Sequence, residues 1–288
     1  TSGALPARER VTGTVRGGGS ITLAAQRGYV VAERGSSMVL DGTSAPVNLL
    51  GMAAPVTVAK PGGTLSISTP EGFVLDGSVS AQAPRDTAGR VLADGGRLSV
   101  AVGAGGTQTG TQGPVAYPDN PFANQNPKAR TIAIGAYDDL LATNRAILGQ
   151  NLSLALGNGT GYLRTSLLTD AGFSRLGLGA GDAVRFDTGV ALSMPLGIQI
   201  DAPAIAAAPG VQVLLDGGQV QLGDQQAGRF GSRAPQRSAL RDASGTGTTR
   251  LAITSPLIEL YGDWGLQGFS NVLLDAGATR GGEIRLST

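Results

Sequence analysis

Several acidic residues of this chain stand where carboxylates can do chemistry. Asp138 and Asp139 are adjacent, and paired carboxylates can divide acid and base work or share a Ca²⁺ ion. Neighbours at a helix start diverge, however, so capping of a helix N-terminus is the plainer reading. The stretch GLGAGDAVRF, 177–186, overlaps one copy of a Ca²⁺-binding nonapeptide, but that motif works through tandem copies. Four aliphatic runs end in Asp: MVLDG at 38–42, FVLDG at 73–77, VLLDG at 213–217 and VLLDA at 272–276. Their carboxylates, Asp41, Asp76, Asp216 and Asp275, would form a surface ladder if successive strands align. The plainer reading of each is a turn residue bonding the backbone ahead of it. A polysaccharide lyase or hydrolase site would need Asp187, Asp201 and Asp216 to project into one groove within about 6 to 9 Å of one another. Asn158-Gly159-Thr160 fits a glycosylation sequon and, being Gly-rich, also fits a plain turn.

Nucleophiles are scarce. The sequence has neither Cys nor His and no G-x-S-x-G elbow, which removes disulfides, thiol chemistry, Cys/His zinc sites, haem ligation and imidazole-dependent triads. No metal, cofactor or catalytic residue is expected. Recognition falls instead to two polar stretches. The segment 223–250 carries Arg229, Arg233, Arg237, Arg241 and Arg250 against Asp224 and Asp242; clustered guanidiniums hold carboxylates or sulfates of acidic glycans through forked hydrogen bonds, or else stay solvated. In the Pro/Asn/Gln-rich stretch 105–130, Tyr117 and Phe122 offer rings that stack on sugars or partners, or that pin the loop. Tyr117, Phe122, Arg229, Arg233, Arg237 and Arg241 are therefore the expected contacts.

The elements that must position these residues are short strands. Gly makes up 46 of 288 residues, more than twice the ordinary share of about 7%, without a collagen period. Hydrophobic residues reach 41% and aromatics only 4%, so the core must be filled by Val, Ile, Leu and Ala. A Gly-Gly pair opens alternating segments four times: GGSITL at 18–23, GGTLSI at 62–67, GGRLSV at 95–100 and GGEIRL at 281–286. Alternation of period two marks half-buried strands. Imperfect recurrence at roughly 35 to 45 residues, small aliphatics and corner glycines favour a right-handed parallel β-helix over a sandwich, with rungs of roughly 20 to 25 residues. About ten rungs at about 4.8 Å would give a rod on the order of 50 Å. The fold class expected is all-β, a single elongated β-solenoid over 1–288, with loop excursions at 105–130 and 223–250, a short helix at 138–149 and a weaker helical signal at 165–172.

Basic and acidic residues nearly cancel, net +1, so no field points to nucleic acid or an anionic membrane. No apolar run approaches the roughly 18 to 20 residues of a membrane span. The chain opens at Thr1 without a targeting segment and closes on GGEIRLST, which reads as a piece of a longer coil.

The succession GGSITLAAQRGYVVAERGSSMVLDG, GGTLSISTPEGFVLDGSV, GGRLSVAVG, LSLALG, AGFSRLGLGAGDAVRFDTGVALSMPLGIQIDAPAIAAAPG and SPLIELYGDWGLQGF resembles the shaft of filamentous haemagglutinin-like large exoproteins, secreted by the two-partner route of Gram-negative bacteria. The resemblance spans nearly the whole chain. It implies a shaft on the cell surface or released, acting in adhesion, biofilm or contact-dependent competition, with an outer-membrane secretion partner and surface glycans or proteins as ligands. It brings no catalytic residues. Coil ends with unpaired strand edges also leave a self-associating extracellular fibre as an alternative.

Overall fold

The computed structural model describes residues 14–26, 28–48, 54–103, 130–138, 140, 159–224, 247–277 and 281–287. Among them the chain is all-β, with 23 strands and one six-residue helix. Most strands lie in three parallel sheets. The first holds, in spatial order, β1 (Ser20–Ala24), β6 (Thr64–Thr69), β9 (Gly96–Val102), β12 (Phe173–Ala180), β15 (Gly197–Asp201), β18 (Val220–Asp224), β20 (Leu257–Gly262) and β23 (Glu283–Ser287). The second holds β2 (Tyr29–Ala32), β7 (Gly72–Leu75), β11 (Thr160–Arg164), β10 (Thr131–Gly135), β13 (Ala183–Phe186), β16 (Ala204–Ala207) and β21 (Gly265–Gln267). The third holds β14 (Val190–Met194), β17 (Gln212–Gly217), β19 (Arg250–Thr254) and β22 (Asn271–Asp275).

From β12 to β17 the chain visits first, second and third sheet in turn, twice. The Gly-Gly segments all become strands of the first sheet: β1, β6, β9 and β23. Their alternation places one apolar residue of every two on the inner face. The inner rows therefore run Ile21, Leu65, Leu98, Leu176, Ile198, Val220, Ile258, Ile284 and, two residues on, Leu23, Ile67, Val100, Leu178, Ile200, Leu222, Leu260, Leu286. Central members of both rows are buried. The glycines before these strands serve close approach: a Cβ on Gly63 would stand 2.3 Å from the Gly19 carbonyl oxygen, and one on Gly95 1.9 Å from that of Gly172.

The second sheet alternates bulk with space. Inside it, Phe73 lies over Gly161, whose Cβ would fall 2.1 Å from the Phe73 ring, and Phe186 sits between Ile134 and Ala207. Both rings are fully buried, two of the few aromatics in an aliphatic core.

A helix stands beside two separate groups of strands. β3 (Ser37–Val39) pairs only with β8 (Ser78–Ser80), and β14 begins a separate sheet. Between them lies the helix α1 (Thr165–Asp170), which packs on both β8 and β14. Six residues without a side-chain cap are too few to hold a helix alone. Buried Leu167 and Leu168 anchor it, and the Ala81 amide bonds the carbonyl just beyond its end, on Ala171. This helix falls within the weaker 165–172 signal; the 138–149 helix lies, apart from Asp138 and Leu140, outside the described residues. So does most of both excursion loops, although Val220–Asp224 and Arg250–Thr254 at the borders of 223–250 are strands.

Three details depart from the expected rhythm. The widest sheet has eight strands among the described residues rather than about ten rungs. One reason is an antiparallel hairpin, β4 (Thr43–Val47) with β5 (Val56–Lys60), which uses chain length without adding to the parallel sheets. The other is the second sheet, where the segment between β9 and β12 contributes two strands, β10 and β11, while β16 pairs directly with β21 although β18 of the first sheet intervenes in sequence.

Candidate functional site

None of the six expected contact residues, Tyr117, Phe122, Arg229, Arg233, Arg237 and Arg241, is among the described residues. Asp139 and Asn158 lie outside them as well. Asp138 is exposed and stands 3.7 Å from Arg164.

Asp41, Asp182, Asp187, Asp216 and Asp275 have structural partners. Asp182, in the nonapeptide-like stretch, accepts the Arg130 backbone N–H and so ties the turn between β12 and β13 to the residue that precedes β10. Asp41 accepts the Ser80 hydroxyl at 2.5 Å and the Gln82 amide at 2.7 Å, tying its corner to the β8 end rather than bonding the backbone just ahead. Asp275 makes the local turn bond, from Gly277 N–H at 2.9 Å. Asp76 is buried beside β7 of the second sheet, so the four carboxylates do not make one ladder. A shorter one exists on the third sheet, where Ser193, Asp216, Thr254 and Asp275 occupy one register and Ser193 donates to Asp216 at 2.9 Å. Asp201 belongs to the first sheet, Asp187 follows β13 of the second and Asp216 is on the third. The three are carried by three different sheets and do not share one face. Among the described residues no group of three or more acidic side chains could hold a metal ion.

A polar cluster that sequence reasoning missed covers the outside of the second sheet. Tyr137 donates its hydroxyl to Asp187, which also takes both arms of Arg185 at 2.6 and 2.8 Å. The Tyr137 ring meets Tyr162 edge-on, centroids 5.1 Å apart. A Cβ on Gly135 would stand 2.9 Å from the Tyr137 ring, so glycine leaves the seat for it. With Leu140 packing beside Val74, Val31 and Tyr162, the chain after β10 is stapled across the sheet's outer face. Burial pushes the Asp187 carboxyl up, but the hydrogen bonds from Arg185 and Tyr137 and the Arg185 charge outweigh it and hold it below its ordinary value. Asp187 therefore supports the fold above the ordinary carboxylate range, and that support fades as pH falls through its lowered value. Asp187→Ala is expected to lower stability by about 1 to 3 kcal/mol, because a half-buried guanidinium loses its anion. A urea double-mutant cycle with Tyr137→Phe checks the coupling; strictly additive effects would refute a joint clamp.

One cleft of about 370 Å³ opens between α1, β14 and the segment before β9. Its lining combines Arg85, Asp94, Thr169 and Ser193 with Ala191 and Pro195. Arg85 is positioned by a bond to the Gly89 carbonyl at 2.9 Å. The Asp94 carboxylate has no hydrogen bond or ion pair among the described residues. Cation, carboxylate, hydroxyls and apolar floor together suit a small polar ligand rather than a purely apolar one. Nothing in the local sequence of 81–95 marks this site, because it forms only where the helix 165–170 and β14 come to lie beside that segment.

Comparison with family models, with curated proteins and with solved structures finds no match for this chain.

Proposed function

We propose that the chain is a stretch of right-handed parallel β-helix serving as the shaft of a large secreted bacterial surface adhesin. The observation that carries the reading is the cyclic passage of the chain through three parallel sheets, with successive first-sheet strands beginning at 173, 197 and 220. Such a path adds about 4.8 Å of length per circuit and buries aliphatics against the neighbouring circuits. Loops can then be displayed sideways without altering the coil. Eight stacked strands correspond to roughly 35 Å. Reach and display are the proposed work, towards host or bacterial surface glycans or proteins, with an outer-membrane partner exporting the parent chain. The resemblance to filamentous haemagglutinin-like exoproteins supports the same reading from sequence.

Immunogold electron microscopy tests it, using antibodies raised against the purified chain. Intact cells that produce the protein are expected to carry label outside the outer membrane, or to release it into the medium. Label confined to lysed cells would overturn the proposal.

A further inference from the structure

The outer face of the first sheet carries a contradiction. Arg97 of β9 and Arg175 of β12 are direct partners in the parallel register, on strands about 4.8 Å apart. Leu98 and Leu176 beside them point inward and are buried, so both guanidiniums stand on the outside. Neither has an ion pair or side-chain hydrogen bond among the described residues. Like charges in directly facing positions destabilise a sheet. The same face handles its other cation differently: near its far end Arg285 is bound by Glu283 at 2.8 and 2.9 Å and lies 3.6 Å from Glu259, which also accepts from Gln219 and Gln221.

The surroundings of the arginine pair suit an anion. Thr64 and Ser99 flank Arg97 on the same face, one on the neighbouring strand and one two residues along. Gly177, two residues beyond Arg175, leaves open space where a side chain would stand, with nothing nearer than 3.9 Å to its Cβ position. The cleft beside α1 is lined by Gly95 and Phe173, each two residues before one of the arginines, with the register shifting between Phe173 and Arg175. Two unpaired guanidiniums, adjacent hydroxyls, an open strip and a polar cleft thus follow one another around a corner of the fold.

The geometry points to a binding site for an acidic polysaccharide: one anionic group is shared by Arg97 and Arg175, and an adjoining sugar unit enters the cleft against Ala191 and Asp94. A carboxylate or sulfate accepts from both guanidiniums, and the anion removes their mutual repulsion. In the cleft, the Asp94 carboxylate accepts sugar hydroxyls while Arg85 donates to ring or hydroxyl oxygens. This site goes beyond the shaft reading and does not depend on it, since a chain of any location could hold it.

Binding of the whole chain to polygalacturonate, dextran sulfate and neutral dextran, measured by calorimetry at low salt, tests the site. At least one anionic polymer is expected to bind and neutral dextran is not; which anionic arm binds identifies carboxylate or sulfate as the group held. Arg97→Gln with Arg175→Gln is expected to weaken binding at least tenfold, with a thermal midpoint unchanged or higher because the repulsion is gone. Arg250→Gln, which removes one positive charge at an exposed position of β19 where the pair variant removes two, should bind like the unaltered chain. Ala191→Phe, which fills the cleft from an exposed position, should weaken binding of the polymer. Failure of both anionic polymers to bind, or equal loss with Arg250→Gln, overturns the site; unchanged affinity of Ala191→Phe overturns the part played by the cleft.

Discussion

Truncation of Leu176 to alanine is expected to destabilise the protein by about 2 to 5 kcal/mol. Leu176 is fully buried in β12, between Leu98 of β9 and Ile198 of β15. Its loss removes the transfer energy of the deleted carbons and leaves a cavity that can close only if strands on both sides shift. They cannot shift freely, because each is held by a parallel ladder to a further neighbour. The cost should therefore lie toward the upper part of that range. The same substitution at Ile284 of β23, 44% exposed at the sheet edge, should cost well under half as much. Urea denaturation followed by the fluorescence of Trp264 measures both. Equal costs at the two positions would contradict the burial gradient along the row.

Raising the pH above 10 is expected to destabilise the chain progressively. Tyr29 is pushed up to about 12, first by burial and then by the charge of Glu71. Burial likewise raises Tyr137, helped by its hydrogen bond to Asp187 and by that carboxylate's charge, and it raises Tyr162 and Tyr261. In the unfolded chain these phenols ionise near their ordinary value of about 10. The folded state holds its protons longer, so stability is complete below pH 10 and falls as pH rises through the higher folded values. Each tyrosine contributes a slope of at most about 1.4 kcal/mol per pH unit, reduced where solvent reaches the ring. Tyr29 alone, held to about 12, can withdraw at most about 2.7 kcal/mol over the two pH units above 10, a sizeable share of an ordinary stability of about 5 to 15 kcal/mol. Urea midpoints at pH 9, 10, 11 and 11.5 should fall with increasing steepness, and less so in Tyr137→Phe. A flat midpoint across that range would show that the phenols are not held as described.

The strands were legible in the sequence because period-two alternation is a local signal. GGSITL, GGTLSI, GGRLSV and GGEIRL became strands of one sheet, and the Gly pairs mark places where two backbones pass too closely for a Cβ. The four Asp-terminated runs looked alike yet fell on different walls, since a turn residue records that the chain bends and not where it goes next. Asp41 shows why: its partners Ser80 and Gln82 are about forty residues downstream. The Tyr137–Asp187–Arg185 clamp was hidden for the same reason, joining residues about fifty positions apart. The facing of Arg97 and Arg175 could not be read either, because it depends on register between strands separated by a long insertion.

The second sheet gains a strand at β10 and β11 and passes over one between β16 and β21. In the language of crystals these are two dislocations of opposite sign. Between them the second wall runs one strand ahead of the first; outside them the offset cancels, and β1 with β2 and β20 with β21 stand level. Neither fault can be edited alone. Removing the β10 strand while keeping the β16–β21 junction would leave the later strands of the two sheets out of step by one, so a shortened version of this protein must delete both faults together or retain both.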